Sequence, residues 1–141
     1  MQQSMIEHMG GEEAVRELVE TFYDLMETLP EGAHLRLLHE RGQGMANARA
    51  EQFDFLCGFL GGRRYYAERH GHMDLREIHA HVPVRAEDAE NWLFCMDRAL
   101  EDRGHAGPEI DRLRASLRRA ALRLVNDLGE WGVAKAKPAG G

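Results

Sequence analysis

His79 is the residue with the strongest claim to chemistry in this sequence. Helical spacing puts it on the same side as Leu75 and Ile78, in a short segment that begins around Asp74 and is stopped by Pro83. An imidazole on an apolar face needs a hydrogen-bond partner or a metal, because a buried polar group left alone costs free energy. His81, two positions on, points the other way on a helix, so the two rings do not serve one ion while the helix persists. His70 and His72 flank Gly71 and read as solvated loop residues. The chain has 8 histidines, and a zinc cluster of His70, His72, His79 and His81 has to be weighed. Structural zinc sites usually include thiolates in close spacing, whereas Cys57 and Cys95 stand alone within apolar stretches, and neither Cys-x-x-Cys nor His-Glu-x-x-His occurs. The spacing argues against zinc.

Three other polar side chains interrupt apolar faces. Tyr23 lies one turn from Val19 and beside Phe22, Gln52 breaks the stripe Ala48, Phe55, Phe59, and Trp92 opens the apolar side of a later helix. Tyrosine and tryptophan in such places are ordinarily packing residues, but a buried glutamine has several amide groups to satisfy. Phenol, amide and indole around one cavity would suit a small anionic or dipolar ligand.

Helices must position these groups. Val15, Leu18, Val19, Phe22, Leu25, Met26 and Leu29 recur at three- and four-residue steps behind Gly10-Gly11, and Pro30 ends the run. A short helical turn is predicted over 33–39, a second long helix from about Ala46 to Leu60 closed by Gly61-Gly62, and loop with at most one turn over 63–72. Ala89, Trp92, Cys95, Met96 and Ala99 mark the next helix. Pro108 opens the last, whose apolar positions run from Ile110 through Leu113, Leu117, Ala120, Ala121 and Leu124 to Leu128. No strand pattern and no repeat appears, so the class is all-α, with helices packed as antiparallel pairs.

The 141 residues suit one domain, expected over 1–132 with a flexible tail over 133–141. A net charge of -6 makes no case for nucleic acid or anionic membrane as partner, and no apolar run is long enough to span a bilayer. The start, Met1-Gln2-Gln3-Ser4-Met5, lacks the basic and apolar regions of a secretory signal, and the two cysteines read as reduced packing residues. A cytoplasmic protein is expected.

Taken in order, the motifs resemble the group II truncated haemoglobins from about Gly10 to Leu100. The anchors are Gly10-Gly11, Phe22-Tyr23, Phe55-Leu56 leading to Gly61-Gly62, Tyr66, Gly71-His72, Leu75-Arg76-x-x-His79, Pro83, Asp88-x-x-x-Trp92 and Cys95-Met96. The resemblance implies a two-over-two helical sandwich around noncovalent haem b; the absence of Cys-x-x-Cys-His excludes covalent attachment. It implies His79 as the proximal iron ligand, and Tyr23, Gln52 and Trp92 as distal hydrogen-bond donors. His39 and Ala48 fall at further distal positions, the small Ala48 leaving that side open. Phe55, Leu56, Phe59, Tyr66, Leu75, Ile78, Val84 and Met96 are implied haem-packing residues, and Arg76 a partner for a propionate. The chain departs from the family pattern at Arg63, at Met73-Asp74, at Ile78 and at His81.

The function implied is binding of oxygen, nitric oxide or another small diatomic ligand at a five-coordinate haem iron. The alternative is a haem-based redox enzyme, a nitric oxide dioxygenase or peroxidase. No Gly-x-Gly-x-x-Gly follows a strand, so sustained turnover is expected to need a separate reductase.

Overall fold

The computed structural model describes residues 4–41, 43–75 and 83–126, together with the backbone of 128–130 and 133–134. His79, Arg76, Ile78 and His81 lie outside the described residues.

The chain opens with α1 (Met5–Met9), whose N-cap Ser4 accepts from the Glu7 amide. Gly10 and Gly11, both at positive φ, turn it into α2 (Glu12–Thr28). A 17-residue helix in a protein draws most of its stability from packing and not from propensity. Its stability comes from one face: Val15, Leu18, Val19, Phe22, Tyr23 and Met26 are all buried, at the spacing the sequence predicts. Burying a large apolar side chain contributes about 1.5–3 kcal/mol, so this stripe outweighs any helix propensity.

The end of α2 is built more tightly than Pro30 alone suggests. Pro30–Gly32 forms a 3-10 turn, and Arg36 donates to the Met26 carbonyl at 2.7 Å. A Cβ on Gly32 would stand 2.0 Å from that same carbonyl oxygen, so only glycine lets the chain cross there. Next come α3 (Ala33–Arg41) and α4 (Met45–Phe59). Leu60 and Gly61-Gly62 follow α4; the Leu60 carbonyl accepts from the Ile6 amide at 2.9 Å, and a Cβ on Gly62 would meet Ile6 at 2.8 Å. This glycine pair therefore fastens the first turn of the chain to the end of α4.

Two helices differ from the sequence expectation, and a strand pair is added to it. Residues 63–72, expected as loop, contain α5 (Tyr65–His70), held by buried Tyr66 and closed by Gly71 in the left-handed region. The helix expected after Pro83 is α6 (Ala86–Asp102), capped by a reciprocal pair: the Arg85 amide and guanidinium both donate to the Asp88 carboxylate, the amide at 2.9 Å, and the Asp88 amide donates back to the Arg85 carbonyl at 3.0 Å. The last helix, α7 (Pro108–Leu122), stops short of the expected Leu128. Beyond it the Asn126 amide donates to the Val84 carbonyl at 2.9 Å, and its side-chain oxygen accepts from the Val84 amide at 3.3 Å, so tertiary pairing replaces helix. Leu128–Glu130 (β1) and Val133–Ala134 (β2) then pair antiparallel, a small strand pair that the sequence reading lacked and that takes in the start of the expected flexible tail.

The core is all-α. α2 packs on both α4 and α6, and α6 packs on α7. Phe22 ties the layers together: its ring meets Tyr23 edge-on at 4.8 Å and Trp92 of α6 at 5.2 Å. Cys57 and Cys95 are free and buried in this core, as expected, and burial pushes both thiols up to about 11. No helix among the described residues is long and apolar enough to cross a membrane.

Candidate functional site

A cavity of about 300 Å³ lies within this framework. A single water needs about 10–15 Å³, so the space suits an organic group and not just trapped solvent. α2 contributes Tyr23 and α3 contributes Leu35, Leu38 and His39. One face of α4 supplies Asn47, Ala48, Glu51, Gln52 and Phe55, at steps of one, three and four residues. Tyr66 and His70 come from α5, and Asp88, Ala89 and Trp92 from α6. Leu117, Ala120, Ala121 and Leu124 close the far side.

The structure brings nine of the proposed site residues to this one cavity: Tyr23, His39, Ala48, Gln52, Phe55, Tyr66, Leu75, Val84 and Trp92. Leu56 and Met96 are buried in the core and are not part of its lining. Phe59 is outside the lining too, although its ring stacks on Phe55 at 5.4 Å. Leu75 and Val84 are lining residues, and the undescribed 76–82 connects them.

The donor set is chemically distinctive. The Tyr23 hydroxyl, the Gln52 amide and the Trp92 indole make no hydrogen bond to any described residue, yet all three belong to the same lining. Burial drives the Tyr23 phenol well above its ordinary pKa, opposed only in part by the Arg49 guanidinium 5.6 Å from its ring centre. It is therefore a neutral O–H donor over the physiological range. Arg49 is anchored by Glu20 at 2.6 Å, Asp24 at 3.1 Å and Glu27 at 3.3 Å, which fixes α4 against α2 beside the tyrosine. His39 approaches the Leu35 carbonyl through Nδ1 at 2.7 Å. A carbonyl only accepts, so Nδ1 of His39 carries a proton.

One edge of the cavity is ionic. His70 Nε2 lies 2.9 Å from Glu51, and Arg69 reaches Glu51 and Asp54, each at 2.6 Å. Burial raises the Asp54 carboxyl, with Arg69 working against it. His70 is thus not the solvated loop residue expected: it ends α5 half-buried, against the Tyr66 ring at 4.3 Å. Asp88, 1% exposed, was also not expected in the wall. Its signal was its position one turn before Trp92 on the apolar side of α6.

A family model described as bacterial-like globin matches residues 4–126. The chain belongs to the bacterial-like globin family, among its group II truncated haemoglobins. It is 34% identical over 116 residues to the group 2 truncated hemoglobin YjbI of Bacillus subtilis, covering 82% of this chain and 84% of that one. The group II 2-on-2 hemoglobin of Agrobacterium tumefaciens superposes with a TM-score of 0.82 at 34% identity, covering 89% of this chain and 95% of that chain. The truncated oxygen-avid haemoglobin of Bacillus subtilis superposes with a TM-score of 0.76 at 31% identity, covering 88% and 100%. The layers of this globin are accordingly those of the two-over-two sandwich, α2 with α4 over α6 with α7. Membership implies a haem cofactor. The cavity fits one: its lining combines Phe55, Tyr66, Leu117 and Leu124 for a flat apolar ring system with three donors left for a ligand.

Proposed function

We propose that this globin holds haem b in the 300 Å³ cavity with His79 as iron ligand, and binds oxygen, nitric oxide or a related diatomic ligand on the side of Tyr23, Gln52 and Trp92. The observation that carries this reading is that three donors without partners among the described residues belong to the lining of one cavity. Bound haem would supply an iron centre that takes up a small ligand and shifts electron density onto it. The chain's own part is to donate hydrogen bonds to that ligand from fixed positions and to keep water out. Trp92 can donate only, and Tyr23 stays protonated, so both stabilise negative charge on a ligand at any physiological pH.

Support for His79 comes from the family resemblance and from its neighbours, since Leu75 and Val84 on either side of 76–82 both line the cavity. Ala48 leaves the α4 side of the wall small, and we assign Arg76 to a propionate. The oxygen avidity described for the Bacillus subtilis relative is carried to this chain as part of the proposal. We assign the haem-binding unit to 1–132. The paired absence of a disulfide and presence of two buried thiols suits the cytoplasm.

Titration of haem into the apoprotein tests the reading. The expected result is a Soret band saturating at one haem per chain, with the carbonyl-bound C–O stretch shifting when Trp92 is replaced by Phe. Absence of stoichiometric binding, or a C–O stretch blind to Trp92, Tyr23 and Gln52 alike, overturns it.

A further inference from the structure

A second depression, of about 430 Å³, lies between α7 and the end of α4, beside Met5 of α1. Phe59, Leu60, Leu113 and Ala120 form an apolar floor, and Arg112, Arg119 and Arg123 line it with Ser116. At 100° per residue the three α7 side chains Arg112, Ser116 and Arg119, with Arg123, which caps the helix in a helical conformation, fall within about 60° of one another, as a stripe about 16 Å long. The arginines elsewhere on α7 are neutralised: Arg114 by Asp97 at 3.6 Å and Arg118 by Glu90 at 2.6 Å. Within the stripe only Arg112 has an acidic neighbour, Glu109 at 3.6 Å. Arg119 donates to Ser116 at 3.0 Å, and neither it nor Arg123 reaches a carboxylate among the described residues. On a chain of net charge -6 this is a local reversal of sign.

The groove also backs onto the cavity. Ala120 belongs to both linings, and Phe59 of the groove floor stacks on Phe55 of the cavity wall at 5.4 Å. We infer that the Arg112–Arg119–Arg123 groove is the docking face for an acidic one-electron carrier protein, which meets the molecule where one layer of side chains separates it from the haem cavity. This rests on the haem reading given above. The length of the row favours a protein over a small anion, since a single phosphate or carboxylate pairs with one or two guanidiniums and does not span about 16 Å. Charge complementarity sets the orientation: the acidic carrier is attracted at this stripe and repelled by the net negative remainder. One electron passes from the reduced carrier, which becomes one electron more oxidised, to ferric iron, which becomes ferrous; no bond is made or broken.

The test uses an acidic flavodoxin as probe, against the haem-loaded protein and its R119E/R123E and R119Q/R123Q variants. R98E, on the exposed side of α6, serves as the charge control. Calorimetry should show native binding that weakens with salt, at least tenfold weaker for the charge reversal, intermediate for the neutral pair and unchanged for R98E. Stopped-flow reduction by flavodoxin hydroquinone should slow in the same order, while reduction by methyl viologen radical cation, which needs no docking, is not slowed. Haem stoichiometry of each variant is measured in the same preparations. Normal stoichiometry with binding and reduction indifferent to the arginines overturns the docking face alone, whereas lost stoichiometry in the native protein overturns the haem reading. Lack of flavodoxin binding by the native protein, or displacement by millimolar inorganic phosphate, also refutes the docking face.

Discussion

Replacing Trp92 by phenylalanine removes the indole N–H and keeps an aromatic ring. The native ring packs against Phe22 at 5.2 Å, a contact that phenylalanine can preserve. The indole makes no hydrogen bond to a described residue, so nothing in the described fold is left unpaired by the change. The loss is therefore confined to a bound ligand. A hydrogen bond to a group carrying charge contributes about 1.5–3 kcal/mol, and at 1.36 kcal/mol per factor of ten that is a roughly 10- to 150-fold faster oxygen release. Oxygen dissociation followed by stopped-flow with carbon monoxide replacement reads this directly, and association should change far less. Tyr23 and Gln52 line the same cavity, so the double variants W92F/Y23F and W92F/Q52L should show whether the donors compensate for one another. An off-rate unchanged in the single variant and in both double variants would refute the donor assignment.

Two further outcomes follow from the framework. Gly32→Ala places a Cβ 2.0 Å from the Met26 carbonyl oxygen, backbone that cannot rotate away; urea unfolding should show a loss of about 1–3 kcal/mol or more. Burial raises the Cys57 and Cys95 thiols from 9.0 to about 11, so the folded state holds protons that the unfolded state releases. Their contribution is fully present below pH 9, and stability should fall as pH rises through the interval to about 11. Unfolding midpoints of the native protein and a C57A/C95A variant, compared over that range, check the sign: the variant should lose less.

Periodicity carried α2, α6 and α7 because each has one dominant buried face, the α2 stripe from Val15 to Met26 being the clearest case; α4 buries Phe53, Phe55, Leu56 and Cys57 on several sides, and there the closing glycine pair carried the reading. The same logic found Tyr23, Gln52 and Trp92, polar residues on apolar faces that the fold then gathers at one cavity. It failed on α5, where six residues offer Tyr66 as the only buried anchor and no period can be read. It ran α7 too far because Leu124 and Leu128 continue the helical step, whereas the stop is imposed by Asn126 pairing with Val84 across 42 positions. His70 and Asp88 escaped notice as cavity residues because their partners, Glu51 and Arg85, become meaningful only once the helices are packed or capped. Gly32 is conspicuous only in three dimensions, since its requirement comes from the backbone of the preceding helix.

The central claim is that His79 supplies the iron ligand. The most direct measurement is the low-frequency resonance Raman spectrum of the ferrous, ligand-free protein, recorded for the native chain, H81A, and H79G with and without added imidazole. The account predicts an iron–histidine stretch in the native chain and in H81A, its loss in H79G, and its return when imidazole fills the vacated position. An iron–histidine stretch that survives in H79G without imidazole, or disappears in H81A, would contradict the account.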